Sequence, residues 1–184
     1  MAHLAQPVRH RAADRPASAI LRDPLGAIVA LSERPVPDTA TGIHWHELYS
    51  QDPEREAVIY GELFGLQKTQ VLELGGEFGA YQMFRWDPSG SSRGGMLSIA
   101  RLPHVHPQWL YYFGVPDLDG AVSRACAGGA TLINGPLVSP GGRRIATFDD
   151  PQGASFALQE SAAPPACVVC LGAAEPPATG TAPL

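Results

Sequence analysis

Glu47 is the residue of this 184-residue chain best suited to carry out chemistry. It lies in the stretch 43–50, whose composition predicts a β-strand, and the two-residue period of a strand places Trp45, Glu47 and Tyr49 on one face. If that face lines an apolar cavity, burial raises the pKa of the Glu47 carboxyl and suits it to act as a catalytic acid or base. Tyr49 could then donate a hydrogen bond to an oxygen atom of a ligand. The alternative is a structural glutamate that binds an arginine or backbone N–H groups.

Two pairs of histidines, His44 with His46 and His104 with His106, have a spacing that could bind a metal. On a strand, residues two apart share a face, so two such pairs could form a four-histidine site. However, the strand period places His44 and His46 on the face opposite Glu47, and prolines on both sides of the second pair indicate a loop. We therefore expect histidines that pack against a helix or lie at the surface, with no metal site and no cofactor.

The three cysteines do not indicate a disulfide framework. Cys126 falls in a predicted helix, where we expect a small buried side chain. Cys167 and Cys170 form a C-x-x-C pair without a second pair of ligands or a βαβ context. Reduced thiols in a cytoplasmic protein are the favoured interpretation.

Composition and charge narrow the class of partner. The net charge is −5, and the only lysine is Lys68, which argues against a nucleic-acid-binding face. No stretch approaches the roughly 20 apolar residues that span a bilayer. The first 19 residues lack the apolar core of a secretory signal. We therefore expect a cytoplasmic protein that binds neither nucleic acid nor a membrane.

Periodic segments predict two successive units of the order β-α-β-β-β. Asp52 should cap the first helix, with Pro53 in its first turn and Gly65 at its end. The predicted strands cover 43–50, 68–74, 80–86, 95–100, 108–115, 131–137, 144–148 and 155–159, and the predicted helices cover 53–64 and 118–128. A helix followed by three antiparallel strands is the unit of a curved half-barrel sheet.

An eleven-residue phrase occurs twice, at 23–33 and 150–160, with seven identical positions and an offset of 127 residues. Each copy begins Asp-Pro-x-Gly, which favours a turn, and continues into an apolar run that favours a strand. Only the second copy follows a complete unit.

The domain organisation follows from these patterns. We expect a mobile segment over 1–18, a turn and strand over 19–33, and a proline-rich linker over 34–41. The domain itself should cover 42–160, and the Pro/Ala-rich residues 161–184 should be disordered.

Four phrases, at 45–52, 60–65, 112–121 and 149–154, resemble the vicinal oxygen chelate superfamily of glyoxalases, bleomycin-resistance proteins and extradiol dioxygenases. The resemblance covers about residues 42–160. It implies an α+β fold in which paired βαβββ modules form a curved, mostly antiparallel half-barrel sheet with the helices outside. The phrase at 23–33 then resembles the end of a preceding module, and we expect it to pair with the sheet edge or with another copy of the chain.

The resemblance also implies where a metal would bind. The superfamily's ligand positions correspond to Trp45, Leu110 and Ala157, and none of these side chains can coordinate a metal. The same resemblance implies an aromatic and apolar cavity, to which Trp86 and the pair Arg143–Arg144 could also contribute. The expected ligand-binding residues are Trp45, Tyr81, Met83, Leu110, Tyr112, Ala157 and Gln159.

These features predict a metal-independent protein that binds a small, largely apolar or aromatic molecule. The favoured activity is that of an isomerase, cyclase or lyase that uses proton transfer, with Glu47 as base and Tyr49 as hydrogen-bond donor. One alternative is a non-catalytic protein that sequesters its ligand, as bleomycin-resistance proteins do. Another is a structural or degenerate module with no ligand. Unpaired strand edges favour a homodimer in each case.

Overall fold

The computed structural model describes residues 17–33 and 42–161, and within them it forms ten β-strands and two α-helices. The elements in chain order are β1 (Ser18–Arg22), β2 (Ile28–Ser32), β3 (Ile43–Ser50), α1 (Pro53–Phe64), β4 (Gln67–Gly75), β5 (Gly79–Arg85), β6 (Gly94–Ser98), β7 (Gln108–Val115), α2 (Leu118–Ala127), β8 (Thr131–Val138), β9 (Arg144–Asp149) and β10 (Ser155–Glu160). The expectations for 1–16, 34–41 and 162–184, including the pair Cys167 and Cys170, fall outside the described residues.

Eight of the strands form one curved, open sheet in the order β4-β5-β6-β3-β7-β10-β9-β8. The first strands of the two units, β3 and β7, pair antiparallel at its centre. Each of them pairs in parallel with the last strand of its own unit, β6 or β10. The α+β half-barrel built from two β-α-β-β-β units is therefore confirmed, and the element boundaries agree with the sequence prediction to within two residues.

Both helices cover the same face of this sheet. The Asp52 carboxylate caps α1 by accepting from the backbone N–H of Arg55, and Gly65 ends the helix with a φ of 73°. Beneath α1, Tyr60 packs in a cluster with residues of β3, β5, β6 and β7, and α2 packs over β9 and β10. The opposite face is left uncovered by helices and is free to form a cavity.

Residues 17–33 form a separate two-stranded hairpin of β1 and β2. The expectation that this segment pairs with the sheet edge of its own chain is wrong for the described residues, since neither strand joins the eight-stranded sheet. The reason is local: β1 lies only a tight turn away from β2, and closing so short a loop costs little entropy. Pairing with another copy of the chain stays a prediction.

The hairpin reproduces the β9–β10 hairpin pair for pair. Arg22 pairs with Ile28 just as Asp149 pairs with Ser155, and every further pair is offset by the same 127 residues. In both turns the N–H of the aspartate donates to the carbonyl of the alanine four residues later, at 2.9 Å. The repeated phrase is therefore a repeat of structure as well as of sequence.

The turn of the N-terminal hairpin docks against α1. Ala27 is fully buried in the cluster beneath that helix. The Tyr60 hydroxyl donates to Asp23 Oδ2 at 2.9 Å and accepts from Trp109 Nε1 at 3.1 Å. These contacts hold the hairpin on the helix side of the sheet.

The expectation of a buried Cys126 is wrong. The residue lies on α2 as expected, but its side chain is exposed. The buried stripe of α2 runs through Leu118, Ala121 and Ala125, and Cys126 lies one 100° step beyond it.

Candidate functional site

The side chains of Trp45, Glu47 and Tyr49 lie on the sheet face opposite the helices, as the strand period predicts. Trp45 and Tyr49 pack with Tyr112 in a cluster separate from the two helix-side clusters. Across the strands, Glu47 lies opposite Leu110 on β7 and opposite Gly95 on β6. Glu47 therefore occupies the middle of the uncovered face, on one of the two central strands.

A cavity of about 1430 Å³ lies against this face. Trp45, Glu47 and Tyr49 line it, together with side chains from both halves of the sheet. The lining also includes helix-side residues such as Tyr60 and Trp109, so only part of the volume lies over Glu47. The total volume is large enough to accommodate a small molecule.

Three tyrosine hydroxyls surround the Glu47 carboxylate. Tyr81 donates to its Oε1 at 2.7 Å and Tyr112 donates to its Oε2 at 2.9 Å. Tyr49 also hydrogen-bonds to this carboxylate, and Trp45 Nε1 donates to the Tyr81 hydroxyl at 2.8 Å. We call Tyr49, Tyr81 and Tyr112 the tyrosine cage.

Gly95 is a residue of this site that the sequence reasoning missed. A Cβ atom there would collide with the ring and hydroxyl of Tyr81, so the glycine gives that ring room to cross β6 toward Glu47. A glycine inside a strand often marks such a close approach, and the pair Gly94–Gly95 was the available signal.

Burial and charge give the groups of the site unusual acidities. Glu47 is partly open to the cavity but closely surrounded by protein, and this burial raises the pKa of its carboxyl, while hydrogen bonds from the tyrosine cage oppose the rise. Burial and the Glu47 charge raise the pKa of all three caging hydroxyls above the usual value for tyrosine. The three hydroxyls therefore remain protonated and act as donors to the carboxylate.

The structure places most of the expected ligand-binding residues at the cavity. Trp45, Tyr81, Met83, Tyr112 and Gln159 all line it. The other two expected residues, Leu110 and Ala157, do not line the cavity.

Leu110 is 2% exposed and Ala157 is fully buried, and both lie in the packing beneath the cavity floor. Each faces the expected side of the sheet, but Tyr112 and its neighbours cover them and exclude a ligand. Leu110 and Ala157 instead contact the side chains that form the cavity floor.

The solved structures that resemble this chain place it in a known fold. It aligns with methylmalonyl-CoA epimerase from Mycobacterium tuberculosis at a TM-score of 0.51 and 17% identity, over 71% of this chain and 94% of that one. It also aligns with the 2,3-dioxygenase LapB from Pseudomonas sp. KL28 at a TM-score of 0.55 and 12% identity, over 86% of this chain and 63% of that one. Both are members of the vicinal oxygen chelate superfamily.

The chain has the vicinal oxygen chelate fold.

Two curated relatives are more similar in sequence. The chain is 30% identical over 148 residues to the anthracycline biosynthesis protein DauV of Streptomyces sp. strain C5, and 31% identical over 131 residues to the anthracycline biosynthesis protein DnrV of Streptomyces peucetius. These alignments cover 77% and 62% of this chain, but the chain spans only about half the length of either relative, 52% and 45%. No protein-family model matches the chain.

The vicinal oxygen chelate fold implies a divalent metal, and the residues of this cavity do not fit one. Trp45, Leu110 and Ala157 stand at the expected ligand positions and offer no donor atom of the required kind. Glu47 is the carboxylate nearest to them, and its oxygens accept from the tyrosine cage. Within 17–33 and 42–161, no group of three or more His, Cys, Asp or Glu side chains could hold a metal ion.

The two histidines of the first pair lie on opposite faces of the sheet. His46 packs among aromatic rings on the helix side, where its Nε2 accepts from Trp86 Nε1 at 2.8 Å, and burial together with the Arg93 charge lowers its pKa to about 4. His44 is exposed, and its ring lies where a Cβ atom of Gly114 would be, on the same face of β7 as Tyr112. The expectation that His44 faces the helices is wrong, because the register shift between Ile43 and Trp45 interrupts the alternation of β3 at this point.

The second pair lies in the loop between β6 and β7, where both side chains are exposed. His104 and His106 therefore match the expectation of surface histidines in a loop. Of the first pair, only His44 reaches the face on which the tyrosine cage lies.

Trp86 and Arg144 lie on the helix side of the sheet, and Arg143 lies at the cavity. Trp86 follows the last residue of β5 and packs on the helix side against Phe84, so it is not part of the wall over Glu47. Arg144 pairs with Asp119 of α2 at 2.7 Å and with Glu160 at 3.3 Å, also on the helix side. Arg143 instead lines the cavity.

None of the helices in the described part of the chain is long and apolar enough to cross a membrane.

Proposed function

We propose that this protein binds a small, largely apolar or aromatic molecule over Glu47 and moves a proton on it without a metal ion. The reaction would be an isomerisation, a cyclisation or an elimination. The observation that carries this proposal is the Glu47 carboxylate in the middle of the cavity face, with a raised pKa and three tyrosine donors around it.

The carboxylate retains the capacity to act on a ligand. Its two oxygens offer about four accepting positions, and the tyrosine cage occupies three of them. A ligand C–H or O–H group can therefore approach the remaining position. Because burial raises the pKa of Glu47, its carboxylate is a stronger base than one in water.

Proton transfer from carbon also requires a group that stabilises the negative charge left on the ligand, and the tyrosine cage supplies such a group. When Glu47 takes the proton of a carbon next to a carbonyl, the electron pair moves to the carbonyl oxygen. A hydroxyl of the cage, with Tyr49 as our candidate, can turn to donate to that oxygen and stabilise the charge. Glu47 then returns the proton at another carbon for isomerisation, or keeps it while a leaving group departs.

The similarity to DauV and DnrV supports an aromatic ligand. Both are named as anthracycline biosynthesis proteins, and anthracyclines contain a planar, polycyclic aromatic ring system. An aromatic cavity lined by Trp45 and Tyr112 suits a flat molecule of that kind. The fold itself does not select a reaction, since epimerases and dioxygenases share it.

The alternative is ligand sequestration without catalysis. It is favoured by the number of hydrogen bonds that Glu47 already makes, because a carboxylate held by three hydroxyls also stabilises the cavity floor. Glu47 would then be a structural partner of the tyrosines.

Two probes separate these functions. N-phenyl-1-naphthylamine, an uncharged aromatic dye, reports binding in an apolar cavity. 5-Nitrobenzisoxazole reports a base: loss of its ring C–H proton breaks the N–O bond and releases a coloured cyanonitrophenolate. We expect the wild-type protein to bind the first and to turn over the second, with a rate that rises as pH rises through the raised pKa of Glu47.

The variants are Glu47→Gln and, as a matched control, Glu62→Gln, which changes an exposed glutamate of α1. We expect Glu47→Gln to lower turnover roughly 10²-fold with dye affinity kept within about tenfold. Dye binding without any turnover would favour sequestration. An earlier melt with unchanged binding would show that Glu47 is structural, since its caging hydroxyls would have lost their acceptor.

A further inference from the structure

The two sides of the cavity differ in polarity. On the β4–β5 side the lining is mostly apolar, with Gln70 as a polar exception, whereas on the β8–β9 side it carries the polar groups. The apolar set is Leu72, Leu74, Phe78 and Met83, and the polar set is Asn134, Ser139, Arg143 and Gln159. A ligand that spans the cavity therefore meets different chemistry at its two ends.

Arg143 is the charged member of the polar set, and the strand period aims it at the cavity. Ile145, two residues later, packs on the cavity face with Tyr112, so Arg143 shares that face. The turn before it is fixed at both ends: Ser139 N–H donates to the Arg143 carbonyl at 2.8 Å, and Arg143 N–H donates to Ser139 Oγ at 3.3 Å. The arginine thus extends from a defined backbone position at the rim.

The guanidinium of Arg143 has no ion pair within residues 17–33 and 42–161. Glu160 also lines the cavity, but its carboxylate already accepts from Arg144 at 3.3 Å and from the backbone N–H of Leu118 at 3.3 Å. A planar fork of N–H donors without a partner matches a carboxylate or a similar oxyanion.

We propose that the ligand of this cavity is an aromatic acid, with its ring system over Glu47 toward the β4–β5 side and an oxyanion group bound by Arg143. This proposal rests on the proposed function, because it assumes that the cavity over Glu47 is where an aromatic molecule binds. It assigns to Arg143 the role of a specificity-determining residue at the rim.

Two dyes with the same ring skeleton test the proposal. 8-Anilino-1-naphthalenesulfonate carries a sulfonate, and N-phenyl-1-naphthylamine is the same frame without it. At low ionic strength we expect Arg143→Gln to weaken the sulfonate dye about five- to tenfold and to leave the uncharged dye within about twofold. The matched control is Arg101→Gln, an exposed arginine that does not line this cavity.

The outcomes separate the two proposals. If Arg143→Gln weakens both dyes equally or neither, Arg143 does not bind the anionic group and this inference is wrong while the aromatic cavity stands. If the wild-type protein does not bind N-phenyl-1-naphthylamine, the aromatic cavity itself is refuted, and both proposals fall. Met83→Trp, which fills the space beside Glu47, should abolish binding of both dyes and so place them in this cavity.

Discussion

Glu56 is the buried group from which the pH dependence of stability can be worked out. Its side chain is fully buried beneath α1, Ser50 Oγ donates to its Oε1 at 3.5 Å, and its Oε2 has no hydrogen-bond partner among the described residues. Burial, and next the negative charge of Asp23, raise the pKa of Glu56 from 4.5 to about 7.

The sign of the effect follows from proton linkage. The folded protein holds the Glu56 proton up to about pH 7, whereas the unfolded chain releases it near 4.5. The contribution of Glu56 is therefore fully present below pH 4.5 and is lost as pH rises toward and beyond 7. The shift corresponds to about 3 kcal/mol of unfolding free energy, at about 1.4 kcal/mol per pKa unit, and this is an upper value if water reaches Oε2.

Glu56→Gln removes the titration and keeps the shape. Relative to wild type, the unfolding free energy of this variant should rise by up to about 3 kcal/mol between pH 4.5 and pH 8. The buried amide N–H groups can cost about 1 kcal/mol at both values, which cancels in the difference.

The assay is urea unfolding followed by tryptophan fluorescence at several pH values. Glu62→Gln, on the same helix but exposed, is the control and should follow the wild-type curve. Parallel pH curves for wild type and Glu56→Gln would refute the reasoning and show that Glu56 titrates as it does in water.

Three further predictions concern the site and the assembly. Gly95→Ala should push the Tyr81 ring away from Glu47 and destabilise the fold by about 1–3 kcal/mol. Thermal melting measures this loss of stability, with Gly128→Ala as a mild control. An unchanged melting temperature would contradict the prediction. Elemental analysis should find no stoichiometric divalent metal, and one equivalent of metal lost on mutating His44 and His46 would overturn our interpretation. Light scattering should find a homodimer, and a strict monomer at high micromolar concentration would count against it.

The sequence could predict the faces of the central strand but not the contacts across the sheet. A two-residue period is a local property, so Trp45, Glu47 and Tyr49 were placed on one face from the residues alone. The cage depends on Tyr81 and Tyr112, which reach Glu47 from other strands at sequence separations of 34 and 65 residues. Those pairings are set by register between strands, which composition does not reveal.

The errors have equally specific causes. Trp86 was considered for the cavity wall, but the two-residue period of β5 places it on the face of Phe84, opposite Tyr81 and Met83, and it packs on the helix side. Residues 19–33 were expected to pair with the sheet edge or with another copy of the chain, because the first strand, β1, was not recognised in the short apolar run before the turn. With β1 present, one edge of β2 is already paired within the segment.

The two copies of the hairpin are fastened to the protein by different means. β10 is held in the large sheet by its parallel pairing with β7, whereas the copy at 17–33 depends on the docking of Asp23 and Ala27 against α1. Backbone amides of β1 and β2 should consequently exchange their hydrogens with solvent by local opening long before those of β9 and β10, although the turns are the same. A comparison of the exchange rates of the two hairpins therefore measures how much neighbouring strands add to the lifetime of a hairpin.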